Sequence, residues 1–245
     1  MVAGLLHPGE MGAAIGGQLR VPVLWASEGR SEETARRAAA FEDVETVEEV
    51  ARRSEVIFSI CPPHAAREVA RSVAGFGGIY VDANAVAPAT VREIAEGHER
   101  FVDGGIVGGP SSPNLYLSGP EANAVASLFE GSAVDARAIS DEIGAASALK
   151  VTYAAWSKGT AAMLLDILEL ARAEGVEDEL LAEWKESIPE LLGRVESARR
   201  SAERKGWRWI GEMEEIADAF AEHDLPDGFH RAAAEVYRWQ PGVRS

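Results

Sequence analysis

The chain is short of cysteine, of long hydrophobic runs and of basic residues. Cys61 is the one cysteine among 245 residues, which excludes an internal disulfide and leads us to expect a cytoplasmic protein. No apolar run approaches the roughly 18 residues that cross a bilayer, and no basic leader precedes an apolar stretch, so we expect no membrane partner. The 24 basic residues against 40 acidic ones give a formal net charge of -16, which repels phosphate backbones and predicts no nucleic-acid partner.

Hydrophobic residues are plentiful, at 47% of the chain, and their spacing changes along it. Over residues 1–140, short apolar runs alternate with amphipathic segments, which predicts a parallel sheet covered by helices. The predicted strands are 2–6, 21–25, 56–60, 79–81 and 100–107. Because such a sheet is buried on both faces, its strands are continuous hydrophobic runs. Their carboxyl ends meet at one edge, where open sheets of this kind bind ligands.

The second half of the chain has the spacing of amphipathic helices only. Residues 141–173 contain no proline and carry apolar side chains at helical intervals, which predicts one long helix. Three more helices are predicted at 178–204, 207–223 and 228–237, separated at Gly175, Gly206 and Pro226. We therefore expect a dinucleotide-type α/β domain over 1–141 and an all-α domain over 142–245.

The segment HPGEMG follows the first predicted strand, and its glycine spacing is that of a dinucleotide-binding turn. In the usual GxGxxG pattern, the second glycine lets the backbone approach a pyrophosphate and the third lets helix and strand pack closely. Gly9 and Gly12 hold those two positions, whereas His7 replaces the first glycine. The candidate cofactor-binding residues of this turn are His7, Pro8, Gly9, Glu10, Met11 and Gly12.

The second predicted strand ends in WASEGRS, where the residue types favour NADP over NAD. Ser27, Arg30 and Ser31 supply two hydroxyls and a guanidinium, which suit the charge-assisted recognition of a 2′-phosphate. An NAD-selective site carries an acidic residue at this strand end to accept the ribose hydroxyls. If Glu28 faces the ribose in place of Ser27, the site favours NAD instead.

Six segments, in order, resemble the 6-phosphogluconate dehydrogenase and β-hydroxyacid dehydrogenase superfamily, which includes the imine reductases. They are HPGEMG, VIFSICPP, VDANAVAP, FVDGGIVGG, NLYLSG and GAASALKVTYA. More narrowly, the chain resembles a 6-phosphogluconate dehydrogenase-like branch that has a short helical C-terminal domain. The resemblance covers about the first 160 residues. It implies an N-terminal Rossmann domain with a doubly wound, mostly parallel sheet, joined by a long helix to an all-α domain that forms a homodimer.

The same resemblance assigns roles to several residues and places the active site in a cleft between the domains. It implies that Lys150 is the catalytic general acid or base, which requires burial or a neighbouring cation to lower its pKa. It puts Cys61, Pro62 and Pro63 near the nicotinamide and Asn84 beside cofactor and substrate. Tyr153 and Ser157 share the helix face of Lys150, so Tyr153 either relays a proton or packs, and Lys158 is interpreted as a solvated charge or a phosphate contact.

Two departures from the family pattern bear on the substrate. Ala154 stands where the family has a substrate-orienting asparagine, and Val107 replaces a serine that contacts the substrate carboxylate. The backbone N–H groups of Gly108 and Gly109 remain available to bind an oxygen of the substrate. We therefore expect an NADP-dependent oxidoreductase that acts on a small molecule bulkier or less polar than the usual hydroxy acid. The alternatives are an imine or iminium reductase and a non-catalytic NADP-binding protein; no metal site is predicted.

Overall fold

The structure is a computed structural model that describes residues 1–239, and these residues form two compact units that divide between Lys150 and Val151. The last six residues of the predicted helical domain lie outside the described part. The first unit is an eight-stranded sheet with helices, and the second is helical, which confirms the predicted fold class. The exact boundary at 141/142 stays a prediction. Within residues 1–239, no helix combines the length and apolarity needed to cross a membrane.

The sheet has the strand order β3-β2-β1-β4-β5-β6-β7-β8. Its strands are β1 Ala3–Leu5, β2 Val23–Trp25, β3 Glu42–Asp43, β4 Val56–Ser59, β5 Ile79–Asp82, β6 Phe101–Val107, β7 Asn114–Ser118 and β8 Asp135–Ser140. The first six are parallel, and their order is that of a doubly wound dinucleotide-binding sheet. β7 is antiparallel to β6, and β8 is parallel to β7.

The five predicted strands all form. Every residue of β1, β2, β4, β5 and β6 is buried, as expected for a sheet covered on both faces. One apolar core contains Leu5, Phe58 and Leu117, and a second contains Ile57, Tyr80 and Val91. The edge strands β3 and β8 were not predicted. Both carry exposed, charged side chains, because an edge strand needs few apolar contacts to hold it in place.

The helices of the first unit cover the sheet between its strands. They are α1 Glu10–Gly16, α2 Glu32–Arg37, α3 Val47–Arg53, α4 Ala66–Arg71, α5 Pro88–Ala95 and α6 Ala122–Ser127. Local sequence explains several starts: Thr46 Oγ1 accepts a hydrogen bond from Glu49 N at 3.2 Å, and Pro88 occupies the first turn of α5, where no N–H is required.

The helical part of the chain is α7 Ala145–Ala173, α8 Glu177–Ser187, α9 Glu190–Ala221 and α10 Gly228–Trp239. The predicted break at Gly206 is wrong, because α9 continues through this buried glycine. The break falls instead before Pro189, which lacks an N–H and forces Ile188 out of the helical region, to φ -143° and ψ 64°. Leu164 and Leu168 of α7 pack with Val195 of α9 in the core of this unit.

Candidate functional site

The carboxyl ends of five parallel strands lie side by side at one edge of the sheet, in the order β2, β1, β4, β5, β6. The direction of winding reverses between β1 and β4, which is the point where open α/β sheets bind ligands. Along this edge the structure places, in order, Ser27 with Arg30 and Ser31, the turn His7–Gly12, Cys61 with Pro62 and Pro63, Asn84, and Gly108 with Gly109.

The glycine turn has the geometry expected of the second and third glycines. A Cβ on Gly12 would lie 2.2 Å from the carbonyl oxygen of His7, so only glycine lets α1 pack this closely against the end of β1. A Cβ on Gly9 would meet nothing within 4 Å, so the backbone there is open to a ligand. Pro8 is buried, Met11 packs against the sheet core, and Glu10 is exposed. These residues fit the pyrophosphate of a dinucleotide.

The loop after β2 contains the residues predicted to select NADP. Ser27 N donates to Asp43 Oδ1 at 3.2 Å, and Ser31 Oγ caps α2 by accepting a hydrogen bond from Thr34 N at 3.3 Å. Arg30 closes a turn through Arg30 N and Ser27 O, 3.0 Å apart. Glu28 is exposed, and its N–H donates to Glu45 O. Asp43 was missed by the sequence analysis, because it lies in the unpredicted edge strand β3.

Two buried side-chain nitrogens at this edge have no hydrogen-bond partner in the described chain. They are Arg30 Nε and His7 Nδ1. Burial, with the charge of Arg30 as a second cause, lowers the pKa of His7 to about 4. No carboxylate within residues 1–239 pairs with the Arg30 guanidinium. Since buried polar groups are nearly always satisfied, Arg30 Nε and His7 Nδ1 are candidate contacts for a ligand.

Asn84 connects the loops that follow β4 and β5. Its Oδ1 accepts a hydrogen bond from Cys61 N at 2.6 Å, and its Nδ2 donates to Ser59 Oγ at 3.1 Å. Asn84 is buried, so these contacts hold the Cys61–Pro63 loop in place. Its direct contact with substrate stays a prediction. Burial, with the charge of Asp82 as a second cause, raises the pKa of the Cys61 thiol to about 12, so Cys61 is not a nucleophile at neutral pH.

Asp82 lies beneath this loop and is fully buried. Its Oδ1 accepts a hydrogen bond from Asn84 N at 3.1 Å, whereas Oδ2 has no partner among the described residues. Burial raises the pKa of Asp82 to about 7; the charge of Asp103 raises it further, and hydrogen bonds from Asn84 lower it. The folded chain therefore holds a proton on Asp82 at mildly acidic pH.

We expect Asp82→Asn to stabilise the protein at pH 8, by an amount that shrinks as the pH falls toward 4. The pKa of Asp82 is raised from 3.8 to about 7, so between these values the folded chain binds more protons than the unfolded one. Its free energy of unfolding therefore decreases as the pH rises through this window, by up to about 4 kcal/mol. Asparagine keeps the acceptor for Asn84 N and removes the titration. Urea unfolding of both proteins across this pH range measures the effect.

The control is Asp141→Asn, which changes an exposed carboxylate. A stability difference between Asp82→Asn and wild type that stays constant from pH 4 to pH 8 would contradict the assignment of this titration to Asp82.

Lys150 is half-buried, and its Nζ donates a hydrogen bond to the carbonyl oxygen of Ile106. This hydrogen bond holds the Lys150 side chain against the end of β6, because Ile106 lies two residues before Gly108 in the sequence. The N–H groups of Gly108 and Gly109 donate to no residue of the described chain. The structure therefore brings the predicted catalytic lysine to the same strand end as the glycines predicted to bind substrate.

Asp103 fixes the start of the helix that carries Lys150. Its buried carboxylate accepts four hydrogen bonds. The donors are Gly144 N at 3.1 Å, Ser147 N at 2.9 Å, Ser147 Oγ at 2.6 Å and Ser118 Oγ at 3.0 Å. Ser118 Oγ in turn accepts a hydrogen bond from Ala146 N at 3.0 Å. Burial raises the pKa of Asp103, and these hydrogen bonds offset part of the rise.

Gly105 allows the same helix to approach β6. A Cβ at this position would lie 2.5 Å from the carbonyl oxygen of Ala146 and 3.2 Å from Lys150 Cβ. Neither Asp103 nor Gly105 was singled out from the sequence. The available signal was the aspartate in each of two buried strands, within VDANA and FVDGG, because a carboxylate is rarely buried without a specific set of partners.

The remaining predicted site residues lie further along α7, in the second unit. Tyr153 is 51% exposed, and Ser157 is half-buried. The interpretation of Lys158 as a solvated charge is wrong: its ammonium pairs with the carboxylate of Glu212, and both side chains are largely buried. Within residues 1–239, no group of three or more histidine, cysteine, aspartate or glutamate side chains is placed to hold a metal ion.

Comparison with known proteins gives the family. The family described as a domain of unknown function, DUF1932, matches residues 171–240. An uncharacterized 28.5 kDa protein of the 7S RNA 5′ region of Methanothermus fervidus is 32% identical over 168 residues, which is 66% of each chain. The conserved protein MTH1747, whose structure reveals similarity with 3-hydroxyacid dehydrogenases, is 27% identical, with a TM-score of 0.71 over 97% of both chains. The chain belongs to the β-hydroxyacid dehydrogenase superfamily.

Other members of this superfamily share the fold at lower identity. A 3-hydroxyisobutyrate dehydrogenase from Mycobacterium tuberculosis, solved with L-serine, is 16% identical, with a TM-score of 0.71 over 96% of this chain and 92% of its own. An imine reductase variant from Myxococcus stipitatus, solved with NAD⁺, is 20% identical, with a TM-score of 0.59 over 97% of this chain and 92% of its own. The β-hydroxyacid dehydrogenase fold therefore extends over nearly the whole chain.

Proposed function

We propose that the protein is an NADP-dependent oxidoreductase that transfers a hydride between the nicotinamide and a hydroxy-acid-like or carbonyl substrate, with Lys150 as the general acid or base. The observation that carries this proposal is the order of groups along one sheet edge. Within residues 1–239, this edge carries Arg30 without a carboxylate partner at the end of β2 and the open glycine turn at the end of β1. At the end of β6 it carries Lys150 beside the backbone N–H groups of Gly108 and Gly109, which have no acceptor among these residues.

The residues present fit a phosphorylated dinucleotide. The open backbone at Gly9 accommodates the pyrophosphate, and Arg30 with the Ser27 loop accommodates the 2′-phosphate. The loop from Cys61 to Pro63, held by the hydrogen bond between Cys61 N and Asn84, would lie beside the nicotinamide ring. When bound, the nicotinamide supplies or accepts the hydride. The imine reductase described above was solved with NAD⁺, which supports the proposal that this chain also binds a nicotinamide cofactor.

Lys150 transfers the proton that accompanies the reaction. As a general base it accepts the proton of a substrate hydroxyl, and as a general acid it donates a proton to a carbonyl oxygen. Its hydrogen bond to Ile106 O orients the ammonium group at the end of β6. Tyr153, one helical turn further along α7, is the second candidate for this proton transfer.

The substrate end of the site combines backbone donors with an apolar residue. Gly108 and Gly109 offer N–H groups to a carboxylate or other oxygen, while Val107 adds no hydrogen bond where the family has a serine. A lost hydrogen bond to a charged group weakens binding by about 1.5–3 kcal/mol, so the usual small hydroxy acids are expected to bind poorly. The same loss favours imine reduction as the second candidate activity.

The experiment that tests the cofactor is thermal-shift titration with NADPH and NADH. We expect NADPH to raise the melting temperature more than NADH at equal concentration, since the tighter ligand stabilises more. Arg30→Met is expected to weaken NADPH binding by roughly 10- to 100-fold, through loss of about 1.5–3 kcal/mol, and to leave NADH almost unchanged.

The matched control for Arg30→Met is Arg194→Met, an exposed arginine of α9. If neither nucleotide stabilises the wild-type protein, the proposed cofactor is wrong. If NADPH binds but no hydroxy acid, ketone or imine turns over, the chain is a non-catalytic NADP-binding protein.

We further propose that the protein is a homodimer formed through its helical unit. Of the 13 exposed large hydrophobic residues in the described chain, 11 lie beyond Lys150. Five of them follow one another along a face of α7 at helical spacing: Tyr153, Trp156, Met163, Ile167 and Leu170. An apolar face of this size on a surface helix is typical of a protein interface. A second copy of the chain accounts for it, because each copy presents the same face.

Leu170→Glu is expected to convert the dimer to a monomer, since the carboxylate would be buried without a partner in an apolar interface. Light scattering coupled to size exclusion measures the mass. Lys185→Glu lowers the net charge by two units on exposed α8, against one unit for Leu170→Glu, and is expected to remain dimeric. A wild-type protein with the mass of one chain would refute the proposal.

A further inference from the structure

We propose that His7 is a specificity-determining residue for NADP(H): together with Arg30 it forms one subsite for the 2′-phosphate, and it binds a proton when that phosphate binds. This inference rests on the proposed function. It goes beyond that function in giving the residue that replaces the first glycine of the turn a chemical role of its own.

The geometry of the two loops supports a shared subsite. β1 and β2 are adjacent parallel strands in which Leu5 pairs with Trp25, so His7 and Arg30 follow neighbouring strand ends. The side chains of both residues carry a buried nitrogen that has no hydrogen-bond partner within residues 1–239, His7 Nδ1 and Arg30 Nε. Buried nitrogens without partners are rare in folded proteins. Two at adjacent strand ends point to one acceptor that is supplied from outside the chain.

The charges at this position favour an anion with more than one negative charge. In a chain of net charge -16, Arg30 is a half-buried cation that no carboxylate of the described chain neutralises. A 2′-phosphate carries between one and two negative charges near neutral pH, so one guanidinium leaves part of its charge uncompensated. A protonated His7 would supply the second positive charge and a second hydrogen-bond donor.

Without the phosphate, His7 is neutral for two reasons, and a bound phosphate opposes both by its negative charge. Burial disfavours the imidazolium, and the charge of Arg30 repels it, so the pKa of His7 falls to about 4. A bound phosphate attracts the imidazolium and compensates Arg30, which raises the pKa of His7. Other titratable groups on flanking elements are Glu10 of α1, which is exposed, and Cys61 and His64 after β4; burial keeps the Cys61 thiol protonated.

Isothermal titration calorimetry with NADPH and NADH, in two buffers of different ionisation enthalpy, tests the inference. The variants are His7→Gln and His7→Asn, which retain a donor but do not titrate, and His223→Gln, an exposed histidine that serves as the control. We expect wild type and His223→Gln to take up more protons per NADPH than the His7 variants. The affinity of the His7 variants for NADPH is expected to be at least 10-fold weaker at pH 6, with a smaller difference at pH 8.5.

NADH binding is expected to be unaffected by the His7 substitutions. Equal proton uptake by wild type and both His7 variants would overturn the inference, and so would an equal loss of NADH affinity, which would assign His7 to the pyrophosphate. If wild type binds neither nucleotide, the proposed function fails as well. If wild type binds NADPH but its proton uptake does not depend on His7, the inference about His7 is refuted and the proposed function stands.

Discussion

Replacing Lys150 with methionine is expected to slow turnover by roughly 10²- to 10⁴-fold, the range typical of a lost general acid or base. Methionine preserves the length of the side chain beside Gly105, so helix and strand can still pack, but it cannot hold or move a proton. NADPH affinity is expected to stay within about 2-fold, because the cofactor residues belong to other strands. Single-turnover kinetics with the best substrate from a panel of hydroxy acids, ketones and imines measures the effect.

The matched control is Lys185→Met, an exposed lysine of α8. Turnover by Lys150→Met at the wild-type rate would remove Lys150 from the mechanism. If Tyr153→Phe then produces the loss, the proton passes through the tyrosine instead. A loss of rate in Lys150→Met that is accompanied by an equal loss of NADPH binding would assign Lys150 to cofactor binding.

The sheet could be predicted from the sequence where its strands are buried on both faces, because burial leaves an unbroken apolar run. Val56–Ser59 and Phe101–Val107 are examples. Glu42–Asp43 could not, since an edge strand of two exposed acidic residues has no such pattern. The second half of the chain was predicted to be helical, but the break between two of its helices was placed at Gly206 in place of Pro189. A packed helix tolerates Gly206, whereas Pro189 keeps the preceding residue, Ile188, out of the helical conformation.

Residues of the candidate site could be singled out from the sequence where the residue type and its place in a motif were enough to suggest a role. Gly12 is needed because any side chain would meet a backbone oxygen. The role of Arg30 at a phosphate, predicted because a guanidinium suits that group, stays a prediction. Contacts made by tertiary pairing were not predictable. Asn84 binds across to Cys61, and Asp103 binds residues more than 40 positions away at the start of α7. The spacing of residues in the sequence does not show which distant N–H group will donate a hydrogen bond to a buried carboxylate.

Asp103→Ala is expected to lower the free energy of unfolding by about 3 kcal/mol. The substitution leaves two buried backbone N–H groups, Gly144 N and Ser147 N, without an acceptor, at a cost of about 1–3 kcal/mol each. Relief of the buried negative charge offsets part of this cost. Asp103→Asn is expected to lose only about 1 kcal/mol, because its amide oxygen can take the place of Oδ2 while its amide nitrogen donates to Ser147 Oγ.

Urea denaturation measures both variants, with Asp141→Ala as the control for an exposed carboxylate just before α7. Because the hydrogen bonds of Asp103 hold the first turn of the helix that carries Lys150, hydrogen exchange at Gly144 and Ser147 is expected to accelerate in Asp103→Ala and to stay slow in Asp103→Asn. Turnover should follow the same order, with most of the loss in kcat, because an unanchored helix leaves Lys150 misplaced at the end of β6. An Asp103→Ala protein as stable as wild type, with protected amides at the start of α7, would mean that the packing at Gly105 alone positions this lysine.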